Sequence, residues 1–253
     1  MNNDTRRTKT FIGAMMLAAV AAGAYAGTIS HTLHSYFALS VLALAAVTSR
    51  MKVKLPGING NMSVNLPFLL IAVVNLSAAE AVLITCVSTA VQCWPKKNAM
   101  LNPQQMAFNV SMMAFASCMA SLLFHAQWLH RMSWNSTIVG LALSATTLFV
   151  GQTAPVAAII ALSEGKAAGH IWWGLAHLSF PYYVLSAGVS SMVQTVSHHM
   201  GWQLALAVFP LMYAIHRSYR LYFGRTIEGR MIEGGTAETQ RPQALVRGVG
   251  AGS

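Results

Sequence analysis

Long apolar runs, interrupted by short polar segments, are the feature of this chain that most limits its fold. Between Thr5 and Thr226 the sequence contains two acidic residues, Glu80 and Glu164. Charged residues make up 9% of the chain and hydrophobic residues 55%, with a mean hydropathy of +0.51, whereas about a quarter of a soluble domain is charged. This charge is too sparse to cover a soluble globule, so the sequence predicts an all-α integral membrane protein.

Eight apolar segments can be counted. A helix needs about 20 residues to cross the hydrocarbon core, so their uneven lengths predict a bundle of about eight transmembrane helices, some short or broken. Residues 1–225 would form this membrane domain, and the Gly-rich residues 226–253 a disordered cytoplasmic tail. The apolar segments comprise residues 11–29, 35–48, 66–76, 78–94, 106–125, 136–163, 171–196 and 202–215.

Two local patterns divide the longest apolar stretches. Ser77 and Glu80 have the spacing of a capping box, in which each residue bonds the other's backbone amide, so a helix is predicted to start there after a tight turn. Pro155 interrupts residues 136–163. That segment is therefore either one kinked or broken helix, or two half-spans.

The basic residues predict the orientation of the spans. With eight spans and a cytoplasmic N-terminus, every basic cluster falls on the cytoplasmic side and only Arg131 lies outside, as the positive-inside rule requires. The formal net charge of +10 therefore reports topology, and no nucleic acid partner is predicted. The cytoplasmic clusters contain Arg6, Arg7, Lys9, Arg50, Lys52, Lys54, Lys96, Lys97, Lys166, Arg217, Arg220 and Arg225.

Polar residues in or beside the spans are the first candidates for a binding site. Lipid offers them no hydrogen-bond partner, so each must face another helix or a cavity. Such residues can equally hold neighbouring helices together. A small polar ligand is predicted to contact Asn61, Ser63 and Asn65 before one span and Asn109 and Ser111 within another. Gln152, Thr153 and His177 also need partners inside the bundle.

Two tyrosines complete the candidate site. Pro181 lies about ten residues into a predicted span, where a proline removes a backbone hydrogen bond and kinks the helix. Tyr182 and Tyr183 follow it directly. A kink beside two phenols predicts either the wall of a ligand pocket or a hinge, with ordinary packing as the alternative.

Neither enzymatic motifs nor an obvious metal site can be recognised. The chain lacks GxSxG, HExxH, P-loop and GxGxxG sequences and a pair of membrane carboxylates, so no enzyme and no cofactor are predicted. Six of the nine histidines fall on the predicted outer face. They suit a proton or metal sensor, or are ordinary interface residues. The outer histidines are His31, His34, His125, His130, His198 and His199.

The turn from Leu76 and Ser77 to Glu80, together with four short motifs, supports a family resemblance. The motifs are MKVKLPG at residues 51–57, NMSVN at 61–65, FPYY at 180–183 and RSYRLY at 217–222. With these motifs, the chain to about Arg225 resembles the multi-pass membrane domain that precedes HD-GYP or GGDEF output domains in bacterial cyclic-di-GMP signalling proteins. The resemblance implies a sensor domain in the bacterial inner membrane. Because no output domain follows Arg225, a separate cytoplasmic protein is expected to supply the output.

The function expected from the sequence is that of a membrane-embedded sensory module. It would bind an unknown small molecule in the lipid bilayer and signal to a separate partner. An alternative is the substrate-binding membrane subunit of a vitamin-type transporter, favoured by broken spans. A structural membrane protein without a ligand is a third reading.

Overall fold

The computed structural model describes residues 2–30, 35–54, 61–95, 102–131 and 136–200, together with residues 208, 210, 213, 214, 217 and 218. Within these ranges the chain is helical except for one pair of short strands. The elements are α1 (Asn2–Ile29), α2 (Ser35–Ser49), β1 (Lys52–Lys54), β2 (Asn61–Ser63), α3 (Leu66–Asn75), α4 (Ala78–Cys93), α5 (Pro103–Phe124), α6 (Gln127–His130), α7 (Ser136–Glu164) and α8 (Ala168–Met200).

The all-α class predicted from the apolar runs is confirmed. Within the described ranges, three helical stretches are long and apolar enough to cross a bilayer, which indicates a membrane protein. They are Arg6–Ile29, Pro103–Leu129 and Ser136–Glu164. Helices α2, α3 and α4 are apolar but only 15, 10 and 16 residues long, so the count of eight spans stays a prediction. The predicted tail, residues 226–253, lies outside the described residues.

The segment before α3 forms a strand pair, whereas its Pro, Gly and Asn residues at 56, 57, 59, 60 and 61 predict a loop. Asn61 and Ser63 belong to β2, which pairs antiparallel with β1 in the register Lys52↔Ser63 and Lys54↔Asn61. The intervening sequence contains Pro-Gly and Asn-Gly, dipeptides typical of turns. The strand pair therefore takes up backbone groups that a loop would have left to water or side chains.

Both helices that contain an internal proline are continuous. Helix α7 passes through Pro155 and α8 through Pro181 without a break. Of the two readings that the sequence left open for residues 136–163, the structure therefore has one helix. Neighbouring helices and local adjustments of the backbone allow a proline inside such a bundle.

Hydrogen bonds between helix ends fix how α1, α2 and α4 are stacked. The backbone N–H of Ala79, in the first turn of α4, donates to Ser30 Oγ just beyond α1 at 3.1 Å. At the other end of α4, the Arg50 guanidinium donates to the carbonyls of Val91 and Trp94 at 3.1 and 3.2 Å. Helix α4 thus begins beside the end of α1 and ends beside the end of α2.

The capping box predicted at the start of α4 is confirmed. Ser77 Oγ accepts the backbone N–H of Glu80, and the Glu80 carboxylate accepts the backbone N–H of Ser77 at 3.0 Å and its hydroxyl at 2.8 Å. Glu80 is buried. These hydrogen bonds explain how the Glu80 carboxylate can be buried without a ligand.

Small residues bring α5 close to α4 and α7. Thr85 Oγ1 donates to Ser117 Oγ at 3.1 Å, and Ser144 Oγ donates to the Ala120 carbonyl at 2.9 Å. At Gly151 an added Cβ would lie 2.7 Å from Ala116 Cβ. We call this contact the α4–α5–α7 seam, defined by Thr85, Ser117, Ala116, Ala120, Ser144 and Gly151.

Candidate ligand-binding site

Helix α3 lies at the centre of the bundle. All nine residues from Leu66 to Val74 are buried, so the helix has no polar face. Helices α2, α4, α5, α7 and α8 pack around it. A helix that is apolar on every side is typical of a protein core or of a lipid-facing span, and the burial of α3 by its neighbours places it in the core. Its ten residues span only about 15 Å.

The start of α3 depends on a side chain from α8. The first amide, Leu66 N–H, donates to the hydroxyl of Tyr182 at 3.3 Å. Pro67 has no N–H, and the next two amides, on Phe68 and Leu69, donate to the Asn65 carbonyl at 3.0 and 3.2 Å. Asn65 occupies the N-cap position without a side-chain cap, and both Asn65 and Tyr182 are buried. Two of the predicted site residues therefore meet at this helix end.

Helix α8 makes a second contact with α3 two turns further on. Ser190 Oγ donates to the Pro67 carbonyl at 3.2 Å and also to the Ser186 carbonyl of its own helix at 2.9 Å. Both serines are buried. Sequence reasoning gave these serines no role, because serine in a membrane helix often bonds its own backbone.

Tyr183 joins α8 to α7. Its hydroxyl donates to Gln152 Oε1, and its ring contacts Phe149 edge-on with the ring centroids 5.0 Å apart. About three turns earlier on α8, Trp172 Nε1 donates to Thr153 Oγ1 at 3.1 Å. Gln152 and Thr153, which the sequence marked only as needing partners, thus find them on α8.

The remaining predicted residues lie elsewhere. Asn109 is half-buried on α5 and donates to Cys93 Sγ on α4 at 3.4 Å, and Ser111 is half-buried two residues later. Asn61 and Ser63 are in β2. His177 is exposed on α8. The structure therefore brings Tyr182 and Tyr183 together beside the start of α3, directly after Asn65, with Gln152 and Phe149 as additions.

The helices of this site supply hydroxyls, an amide and aromatic rings. Within the described residues, no three His, Cys, Asp or Glu side chains are grouped so as to hold a metal ion. Of the outer histidines, His31, His34 and the side chains of His130, His198 and His199 lie outside the described residues. The arrangement of Asn65, Tyr182, Tyr183 and Gln152 suits hydrogen bonding to a small molecule in a medium of low dielectric, where such bonds are strong.

Comparison of the chain with protein-family models, with curated proteins and with solved structures finds no match.

Proposed function

We propose that this protein is a multi-pass module of the bacterial cytoplasmic membrane that binds a small molecule between α3, α7 and α8 and signals its occupancy to a separate cytoplasmic protein. The observation that carries the proposal is the enclosure of α3, whose first amide is bonded by Tyr182 of α8. A ligand that forms hydrogen bonds with Asn65 or the tyrosines would therefore change the contact between α3 and α8.

A short enclosed helix is a feature with functional precedent in membrane proteins. When a helix is too short to cross the bilayer, the unpaired backbone groups at its ends lie at membrane depth and need hydrogen-bond partners. Such helix ends commonly form substrate sites. The resemblance of short motifs in this chain to the sensor domains of cyclic-di-GMP signalling proteins favours a signalling role for the site. In that role, a change in the α3–α8 contact would alter the positions of the cytoplasmic ends of the helices.

The predicted orientation fits the way the helix ends are stacked. Ser30 and Ala79 lie together at one end of α1 and α4, and Arg50 and Trp94 lie together at the other. Since Arg50 belongs to the basic cluster with Lys52 and Lys54, the proposal assigns the second end to the cytoplasmic side. Reporter fusions after Lys97 and Lys166 should be cytoplasmic, and a fusion near His130 periplasmic. A cytoplasmic reporter at His130 would contradict the eight-span topology.

Binding is tested by mass spectrometry followed by thermal melting. The protein, purified in lipid nanodiscs, should release a co-purified small molecule on denaturation. Adding that molecule back should raise the melting temperature, because a ligand that binds the folded state stabilises it by mass action. Tyr183→Phe, which keeps the ring and removes the hydroxyl, should reduce this shift. A protein without any retained molecule, or a variant with the full shift, would count against the site.

Transport is the second candidate, and the short α3 followed by a tight turn into α4 favours it. Paired half-length helices at a substrate site are typical of transporters. The two functions differ in a vesicle experiment: a transporter subunit, combined with its energising ATPase subunits, accumulates the retained molecule inside proteoliposomes. A signalling module binds the molecule but leaves its concentration inside the vesicle unchanged.

A further inference from the structure

A row of aromatic rings leads from the outer surface of the bundle to the start of α3. Phe180 contacts Phe149 edge-on with ring centroids 6.0 Å apart, Phe149 contacts Tyr183 at 5.0 Å, and Tyr183 contacts Tyr182 at 6.3 Å. Exposure falls from 57% at Phe180 to 4% and 6% at the two tyrosines. The row ends where the Tyr182 hydroxyl accepts the Leu66 amide.

In the proposed eight-span topology, the outer end of this row lies at the depth of the lipid chains. Phe180 is seven residues beyond Trp173, an exposed tryptophan of the kind that marks the membrane interface. Seven residues of α-helix correspond to about 10 Å, so Phe180 is well inside a hydrocarbon core about 30 Å thick. Val184, one turn on, is exposed on the same face. A molecule that reaches this face comes from the bilayer interior.

The site offers no charge to balance a charged ligand. Among the residues whose side chains the structure describes, Glu80 is the one buried charged group, and it is engaged by Ser77. Glu80 follows the C-terminal end of α3, whereas Tyr182 meets the N-terminal end, about 15 Å away along the helix. An ion bound beside Tyr182 would lose its hydration without a counter-charge, which is strongly unfavourable.

One hydrogen-bond donor in the site has no partner among the described residues. The Gln152 side chain accepts from Tyr183 through Oε1, and its amino group donates to none of them. Because Gln152 is only half-buried, this donor is within reach of a molecule that enters beside Phe149. A carbonyl-type acceptor on the ligand would match it.

From these contacts we infer that the ligand of the proposed site is an uncharged, ring-containing molecule with a carbonyl-type acceptor, which dissolves in the bilayer and reaches the site between α7 and α8 past Phe180. This inference rests on the proposed function and names the ligand class. Stacking against Phe149 and Tyr183 supplies ring contacts, and the Gln152 amide orients the acceptor.

Photolabelling with three probes that share the benzophenone core and differ in charge tests the inference. The probes are benzophenone, which is neutral, 4-benzoylbenzoate, an anion, and (4-benzoylbenzyl)trimethylammonium, a cation. Each is irradiated with the full-length protein in lipid nanodiscs over a concentration series, and labelled peptides are located by mass spectrometry. We expect saturable labelling of residues 149–153 and 180–184 by benzophenone, and little labelling there by either charged probe.

Two variants and a matched control sharpen the result. Gln152→Leu should weaken saturable labelling about five- to tenfold, the loss expected for one neutral hydrogen bond. Phe180→Ala should shorten the time to half-maximal labelling several-fold, since the outermost ring is removed. Phe115→Ala, which removes an exposed phenylalanine from α5, should change neither quantity.

Other outcomes overturn the inference in distinguishable ways. Equal labelling of the site by a charged probe would show that charge is tolerated there. Labelling that never saturates and extends to the exposed faces around Leu83 and Ile138 would show that benzophenone merely samples the lipid surface. A charged molecule retained on purification that raises the melting temperature would refute the inference while leaving the proposed function intact.

Discussion

The α4–α5–α7 seam and the α3–α7–α8 site join helices by opposite means. In the seam, short hydroxyls bond a neighbouring hydroxyl or carbonyl, and Gly151 meets Ala116 with no space between them. In the site, tyrosine and glutamine side chains reach between helices, and aromatic rings fill the gaps. Short groups in contact leave no room for a ligand, whereas long side chains can exchange one partner for another. We therefore expect changes in the seam to affect stability alone and changes in the site to affect ligand binding.

The largest effect is expected from Gly151→Leu in the seam. Its Cβ would lie 2.7 Å from Ala116 Cβ, an atom that cannot rotate away, so α7 and α5 would have to separate. Overpacking of this kind costs about 3 kcal/mol of unfolding free energy. Gly188→Leu on α8 is the control, because a Cβ there meets nothing within 4 Å. Equal melting temperatures for the two variants would show that the seam is not closely packed.

Next in size is the loss of ligand stabilisation in Asn65→Ala. At a hundredfold excess over Kd, bound ligand contributes about 2.7 kcal/mol to the free energy of unfolding, and this variant should forfeit most of it. The sequence grouped Asn109 with Asn65, but Asn109 bonds Cys93 at the contact of α4 and α5. Asn109→Ala should accordingly keep the ligand-induced shift. Thermal melting of both variants with and without the retained molecule measures the shift. Loss of the shift in Asn109→Ala would place α5 in the site.

A smaller effect, independent of ligand, is expected from Ser77→Ala. The variant removes the hydroxyl that accepts the Glu80 amide and donates to the Glu80 carboxylate, and loss of a cap costs about 0.5–2 kcal/mol. Ser40→Ala is the control, since Ser40 Oγ bonds the Tyr36 carbonyl of its own exposed helix turn. A loss that appears only in the presence of ligand would mean that this turn belongs to the binding site.

The smallest effects are the coupling energies of two hydrogen-bonded pairs. Double-mutant cycles with Thr85→Val and Ser117→Ala, and with Tyr183→Phe and Gln152→Leu, should each give about 0.6 kcal/mol in the ligand-free protein. Ligand should alter the coupling of Tyr183 with Gln152 and leave that of Thr85 with Ser117 unchanged. Ligand-dependent coupling in the Thr85 pair would remove the distinction between seam and site.

Features controlled by nearby residues could be predicted from the sequence. The apolar runs became helices because backbone groups in lipid must be bonded within their own segment. The capping box at Ser77 and Glu80 was recognisable because both partners lie within one turn. The expectation that Asn65 faces other helices was met, since a polar residue beside an apolar run needs partners inside the bundle, which is a local requirement.

Features that depend on distant residues could not be predicted. Tyr183 bonds Gln152, 31 residues earlier in the chain, and Asn109 bonds Cys93 instead of approaching Asn65. Nothing in the spacing of these residues shows which helices will be neighbours. The strand at Asn61–Ser63 was missed because three residues give too short a pattern to separate from a loop.

The enclosure of α3 also constrains how the protein is made. Its ten residues are too few to hold a transmembrane position by themselves, so in the proposed topology α3 is inserted together with α4 as a hairpin. The hydroxyl that bonds its first amide is carried by Tyr182, 116 residues later. At a synthesis rate of about 5–20 residues per second, that residue leaves the ribosome about 6–23 s after Leu66. During this interval the first amide of α3 has no tyrosine to bond, and the nascent bundle is open on the side that α8 will cover. Assembly of this membrane protein is therefore completed from its C-terminal half, and truncation before α8 should yield a chain that quality-control proteases remove.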